Sequence, residues 1–336
     1  MRAPLRDEPA LLVTLKAIHE AIRAEVVAAC TRSSADELSV VAGKQAGDVI
    51  YAVDRLSEQL LVDRFAALAE TWPCLLVAEG LGVSGRRMLP AGTSERHAEI
   101  IALVDPIDGT RGLMFDKRSA WCLMGVAPDH GPSTTLADIS IAVMTELPPT
   151  RQSTSDVLWA VQGQGARGER QNLVNGTAQP IPIVPSGSDS LQHSFATVNA
   201  FFQGGKELTA RLEEAILARA FGPWNPLKAE IYSDQYICSG GQLAEVALGR
   251  DRFVLDVRPL VHRKLGVPSS LCCRPYDLCT LLIAQQAGCV VADPFGEPIR
   301  APLDTTTNVA FAVYANRRLA ERMIPIVREE VQRHLG

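Results

Sequence analysis

Long apolar runs are missing from this 336-residue chain. The uncharged ones, such as residues 72–78 and 278–284, fall far short of the roughly 20 residues that a bilayer-spanning helix needs. A membrane partner is therefore not expected. The opening MRAPLRDEPA has neither the apolar stretch nor the small-residue cleavage pattern of a secretory signal. C-x-x-C spacing is also absent among the eight cysteines, Cys30, Cys74, Cys122, Cys238, Cys272, Cys273, Cys279 and Cys289. Most of them sit in apolar stretches, so they read as buried free thiols in a reducing, cytoplasmic setting. A redox role for Cys272-Cys273 rests on adjacency alone. Positive charge is not in excess: 33 Lys and Arg stand against 38 Asp and Glu, a net of −5. A general nucleic-acid polymer binder would be basic. There is no internal repeat and no low-complexity tract. At 47% hydrophobic and 21% charged residues, the composition excludes a disordered chain, a collagen and a coiled coil. The length suggests about two domains and a substantial core.

Patterning supplies the elements. Apolar residues at three and four spacing (Leu11, Leu12, Leu15, Ile18, Ile22, Val26) predict a helix over 10–30. A second is expected over 51–70, with Leu56, Leu60, Leu61 and Phe65 on one face and Pro73 as its breaker. Short buried strands are predicted at 75–78, ending at Glu79, and at 100–104, ending at Asp105. Further strands are expected at 120–127, 137–143 and 156–161, with a turn at Gly163-Gln164-Gly165. Residues 172–190, with Pro180, Pro182 and Pro185, read as a junction between halves 1–185 and 186–336. The second half alternates: strands at 194–198, 252–255, 289–292 and 309–313, helices at 206–219, 241–248, 276–287 and 317–334. Such alternation predicts an α/β layered architecture.

The sharpest local feature is Asp105-Pro106-Ile107-Asp108-Gly109-Thr110. A buried strand delivers two carboxylates, three apart, into a turn where proline fixes one dihedral and glycine admits close backbone approach. Two such carboxylates repel unless a cation lies between them, and a hard divalent ion such as Mg²⁺ prefers oxygen ligands of this kind. Proline at 106 excludes an EF-hand loop. The same proline, with Thr110, excludes the D-x-D-x-T pattern of an aspartyl-nucleophile phosphatase. Water activated at a metal is the nucleophile that remains.

This hexapeptide resembles the signature of the lithium-sensitive, Mg²⁺-dependent phosphatases typified by the inositol monophosphatase family. Residues 44–54 (KQAGDVIYAVD) resemble that family's segment ending in an aspartate that opens a helix. Glu79 stands where it places a metal-binding glutamate. Pro275-Tyr276-Asp277, an apolar helix, and Ala287-Gly288-Cys289 resemble its second signature. The likeness runs in order over about 10–330. It implies the αβαβα sandwich of inositol monophosphatase and fructose-1,6-bisphosphatase, and a small phosphorylated substrate such as inositol monophosphate or a related sugar or polyol phosphate. It further implies one Mg²⁺ on Glu79, Asp105 and the Ile107 carbonyl, a second on Asp105, Asp108 and Asp277, and a weaker third helped by Glu79. Thr110, paired with Asp54, would orient the attacking water, and the Gly109 and Thr110 amides would receive the phosphate. A homodimer is the family's usual state. Three positions depart from the pattern: Gly80 replaces a second acid, Tyr51 a threonine and Tyr276 a tryptophan. They mark a divergent member.

On the substrate side, Asp256 lies where inositol-selective members carry a glutamate, and equally reads as a strand-end acid. Residues 257–275 form an insertion with Arg258, His262, Arg263, Lys264 and Arg274, either a basic lid for a second anionic group or a solvated loop. Ser239 opens a helix near the family's substrate contacts. Arg111 and the nearby Lys117-Arg118 suggest an alternative substrate, a 3′(2′),5′-bisphosphate nucleotide. A catalytically silent metal- or phosphate-binding homologue is the third reading, motivated by Gly80 and Tyr51.

Overall fold

The computed structural model describes residues 5–45, 48–53, 55–82, 84–222, 225, 227–269 and 271–336. The chain opens with α1 (Glu8–Arg32), the single turn α2 (Ala35–Leu38), the hairpin β1 (Val41–Gln45) and β2 (Asp48–Tyr51), and α3 (Arg55–Ala69). Next come β3 (Cys74–Ala78), β4 (Arg86–Leu89), β5 (Ile100–Asp108), α4 (Thr110–Met114), β6 (Ala120–Pro128), β7 (Ile141–Leu147), β8 (Thr154–Val161), β9 (Ala166–Asn172) and β10 (Ala178–Ile181). The remainder is β11 (Ser194–Val198), α5 (Lys206–Phe221), β12 (Ile231–Tyr232), α6 (Ser239–Ala247), β13 (Asp251–Asp256), α7 (Arg258–Leu265), α8 (Leu281–Ala287), β14 (Val290–Ala292), β15 (Phe311–Tyr314) and α9 (Arg317–Leu335).

One eight-stranded sheet has the order β10-β9-β8-β7-β6-β5-β3-β4, and a five-stranded sheet the order β12-β11-β13-β15-β14. Period-two alternation explains how the larger sheet is buried on both faces. Leu75, Val77, Ile101, Leu103, Leu123 and Met144 point into a core shared with α6, α8 and the second sheet. Their neighbours Cys74, Leu76, Ile100, Ala102, Val104 and Met124 point the other way, onto α1 and α3. Helices α5 and α9 cover the far side of the second sheet. The layers are therefore helix, sheet, helix, sheet, helix, the architecture that the family resemblance implied. Each fully buried Leu, Ile or Val on these faces contributes about 1.5–3 kcal/mol.

Local chemistry starts and stops the helices. Asp7 caps α1, accepting from the Ala10 amide at 3.2 Å, and Leu11, Leu15, Ile18, Ile22 and Val26 form its buried stripe. Asn316 caps α9 through the Leu319 amide at 2.9 Å. All eight cysteines are buried and free. Among the described residues no helix is long and apolar enough to cross a membrane.

Several expected boundaries move. The strand placed at 137–143 begins at Ile141, because Thr135 and Asp138 close a capping box around a 3₁₀ turn first. Part of the junction 172–190 is the edge strand β10, where Pro180 is tolerated because one side of an edge strand has no ladder to join. The insertion 257–275 contains a helix, α7, started by Pro259 in its first turn and stopped by left-handed Gly266. The helix expected over 276–287 divides into a 3₁₀ turn, Tyr276–Leu278, and α8.

Candidate metal centre

The strand expected to end at Asp105 runs on to Asp108, and this difference builds the site. Asp105 lies opposite Leu123 of β6, yet Asp108 lies opposite Trp121. Three steps on β5 match two on β6, so one extra residue is bulged out at Pro106-Ile107. In a regular strand, residues three apart face opposite sides. The bulge restores parity, so both carboxylates face the inner core side, the side of Leu123 and Trp121, and Ile107 turns into the outer core. Proline suits the bulge because it brings no amide to satisfy. The Ile107 amide donates to Asp105 Oδ1 at 3.0 Å, and Thr110 Oγ1 donates to the Ile107 carbonyl at 2.8 Å. Gly109 then turns the chain with φ +97°, and a Cβ there would lie 3.0 Å from Cys238 Cβ. Only glycine meets both demands.

The other sheet's connections supply the rest. The Gly240 amide, in the first turn of α6, donates to Asp108 Oδ2 at 2.6 Å, and Cys238 Sγ lies 3.2 Å from the Asp108 carbonyl. Asp277 sits in the 3₁₀ turn before α8, its Oδ2 accepting from the Arg274 amide at 2.6 Å. Carboxylate oxygens of Asp105, Asp108 and Asp277 all lie within 4.8 Å of one another. Glu79, just past β3, lines the same cavity and accepts from the Tyr276 hydroxyl at 3.3 Å.

Electrostatics mark this cluster as unfinished without a cation. Burial pushes the Asp105 carboxyl well above the usual carboxylate range, and Glu79, Asp108 and Asp277 add repulsion. Asp108 is raised by burial and then by Asp277, against the Gly240 amide. Asp277 is raised by burial, opposed first by the Arg274 amide and then by Arg258. Three carboxyls at this separation, two buried and one half-buried, are costly as anions unless a positive charge lies among them. Their donor set is all oxygen, partly fixed by backbone amides, and it fits a hard divalent ion.

The residues expected from the sequence fall as follows. Asp105, Asp108 and Asp277 converge. Glu79, Ile107, Gly109, Thr110, Arg111 and Ser239 line the cavity with them. Asp54 lies outside the described residues. Asp256 does not line the cavity. It is fully buried, with Oδ1 taken by the Arg258 amide at 3.0 Å and Oδ2 by Arg258 Nη2 at 2.6 Å and Asn199 Nδ2 at 3.1 Å. A carboxylate so occupied is not available to polyol hydroxyls, which corrects the reading of Asp256 as a substrate contact. Arg258 lines the cavity in its place. Phe201 and Phe202, unread in the sequence, form an aromatic wall with ring centroids 4.9 Å apart. The Arg111 guanidinium lies 5.1 Å from the Phe202 ring and 5.7 Å from the Tyr51 ring. A Phe-Phe pair directly after a strand was the available signal. Cys272 also lines the cavity, its Sγ 3.4 Å from His262 Nδ1.

Solved structures share the fold at low identity. Fructose-1,6-bisphosphatase from Leishmania major superposes with a TM-score of 0.67 at 15% identity, covering 96% of this chain and 95% of its own. The extragenic suppressor protein SuhB from Bartonella henselae gives 0.65 at 13%, covering 95% and 99%. An inositol monophosphatase from Thermotoga maritima gives 0.61 at 16%, covering 96% and 99%. Among curated protein sequences none matches significantly. The profile of the inositol monophosphatase family matches residues 11–332. With its signatures gathered around one carboxylate cluster and nearly its whole length matched, the chain belongs to the inositol monophosphatase family and so to a superfamily of phosphatases.

Proposed function

We propose that this protein is a Mg²⁺-dependent phosphoric monoester hydrolase acting on a small phosphorylated polyol or sugar, with inositol monophosphate the leading candidate. The carrying observation is the triad Asp105, Asp108 and Asp277, the first two buried and the third half-buried, with carboxylate oxygens within 4.8 Å of one another. Glu79, Asp105 and the Ile107 carbonyl would hold one Mg²⁺, and Asp105, Asp108 and Asp277 a second, with Glu79 helping a weaker third. Bound there, the ions supply positive charge that acidifies water and offsets charge on the ester oxygens.

The chain's own residues do the rest. Hydrolysis forms one P–O bond to water and breaks the P–O bond to the alcohol, which leaves with a proton. The Thr110 hydroxyl, anchored 2.8 Å from the Ile107 carbonyl, orients the water together with Asp54. Glu79, at the cavity wall, takes part in removing its proton. The amides of Gly109 and Thr110 receive the phosphate oxygens at the start of α4. The Gly240 amide fixes the Asp108 carboxylate through Oδ2. The same reading carries the family's lithium inhibition and homodimer as expectations. A bisphosphorylated nucleotide is the second reading, favoured by the aromatic wall of Phe201, Phe202 and Tyr51 beside Arg111.

Phosphate release from a panel of sugar, polyol and nucleotide phosphates tests this directly. With Mg²⁺, turnover is expected, and Asp105→Asn should lower it by roughly two orders of magnitude or more. Silence across the panel at saturating Mg²⁺ overturns the proposal.

A further inference from the structure

Arg258 has donors that the protein does not use. A guanidinium carries five N–H groups. Nε–H is shared between the two Asp256 oxygens at 2.9 and 3.0 Å, one Nη2–H goes to Asp256 Oδ2 at 2.6 Å, and one Nη1–H goes to the Leu271 carbonyl at 2.5 Å. That leaves one N–H on each terminal nitrogen without a partner among the described residues. The side chain is only 11% exposed, and it lines the cavity that holds the carboxylate cluster. Unused charged donors in so closed a place are costly, and they point to an acceptor that arrives with a ligand.

The surroundings hold the group rigidly. Asp256 is itself fixed by Asn199 Nδ2 at 3.1 Å, and Asn199 and Gln242 exchange hydrogen bonds of 2.7 and 3.0 Å. All three are buried to within 1%. The guanidinium lies 4.7 Å from the Phe201 ring and 5.7 Å from the Phe202 ring. Leu271, whose carbonyl Arg258 takes, adopts φ +55°, a conformation that a non-glycine residue keeps only when its surroundings impose it. Four elements and loops thus converge to fix one arginine fork at the cavity wall.

We propose that Arg258 is a specificity-determining residue whose two remaining N–H donors bind a second, non-reacting anionic group of the substrate, a phosphate or a carboxylate. This rests on hydrolysis at the adjoining carboxylate cluster, and within that reading it favours phosphate monoesters carrying another anion over inositol monophosphate. The planar fork suits a bidentate oxyanion better than a single hydroxyl.

The test uses a matched series of alkyl phosphates, three to six carbons long, ending in hydroxyl, carboxylate or phosphate, assayed with Mg²⁺. The wild-type protein should favour an anion-ended ester over its hydroxyl-ended match by roughly ten- to hundredfold in kcat/KM. The carboxylate and phosphate arms identify which anion fits. Removing Arg258 alone strands Asp256, so the informative variant is the double Asp256→Asn, Arg258→Gln, with Arg258→Lys beside it. The preference ratio should collapse toward one in the double variant and fall partway in Arg258→Lys. A merely structural defect would depress all esters together and leave the ratio. A wild-type ratio within twofold of one, or a ratio unchanged in both variants, overturns the proposal. If no ester is turned over, the hydrolysis reading fails separately. Calorimetry with butane-1,4-diol bisphosphate and its monophosphate then decides the anion site: tighter bisphosphate binding lost in the double variant supports it, and equal affinities overturn it.

Discussion

Replacing Gly125 with alanine should damage metal binding from within the β-sheet that faces the site. Gly125 lies mid-strand in β6, paired with Leu103 of β5 and Ala142 of β7. An added Cβ would stand 2.3 Å from the Cys279 carbonyl oxygen and 2.8 Å from Ile139 Cδ1. Ordinary contact begins near 3.4 Å, so the backbone at Cys279 must retreat by about 1 Å. The sheet cannot yield instead, since β6 is hydrogen-bonded on both sides. Cys279 is two residues beyond Asp277, in the same tight turn that the Arg274 amide closes. The displacement therefore carries Asp277 away from Asp105 and Asp108. Overpacking of this kind costs about 1–3 kcal/mol, and a ligand shifted beyond about 0.5 Å is outside the tolerance of a built site. Denaturant unfolding of the metal-free protein should show the lower stability. Calorimetric Mg²⁺ titration should show affinity reduced by roughly tenfold or more. A Gly125→Ala protein with wild-type Mg²⁺ affinity would refute the claim that packing against β6 sets the position of Asp277.

Other expectations follow from buried polar groups. His19 on α1 is fully buried, with Nδ1 3.1 Å from Thr145 Oγ1, and its pKa is lowered to about 3 by desolvation and then by Arg23. Between that value and 6.5 the unfolded chain binds the extra proton, so stability is full above pH 6.5 and is lost as pH falls toward 3. The loss reaches about 2 kcal/mol by pH 5. His19→Gln should flatten this part of a pH-stability curve, and an unchanged slope would contradict the assignment. Asp256→Ala alone should cost about 3–5 kcal/mol in chemical denaturation, because it leaves the Arg258 charge buried and uncompensated. The double change Asp256→Asn, Arg258→Gln should cost less than Asp256→Ala. If it costs more, the two residues are not an energetic pair.

Most of the fold could be read along the chain. The stripe Leu11, Leu15, Ile18, Ile22, Val26 has one helical reading, and the strands at 100–104 and 120–127 are apolar throughout because both faces are buried. Elements lacking such a stripe escaped. β9, Ala166-Arg167-Gly168-Glu169-Arg170-Gln171-Asn172, is polar because it lies toward an edge, and α7 carries a single buried residue, Val261. At the site, Asp105, Asp108 and Asp277 were legible because a strand end, a glycine turn and an apolar helix flank them. Asp256 misled because a strand-end acid looks alike in sequence whether it faces a ligand or an arginine two residues on. The partner that occupies it, Arg258, was legible only as one of several basic residues. Its fixed fork depends on Asn199, Gln242 and Leu271, which come from distant stretches, and no local pattern announces such a convergence.

The bulge at Pro106-Ile107 separates two properties of β5 that usually travel together. The same residues run through without the bulge would complete a regular ladder with β6, placing Ile107 opposite Trp121 and Asp108 opposite Ala120. Asp108 would nonetheless swing out among side chains such as Met114 and Ala120, beneath the outer helices. The scaffold is thus indifferent to a half-pleat of phase on which the chemistry depends entirely, and a lineage could shed its acid constellation while keeping its sandwich.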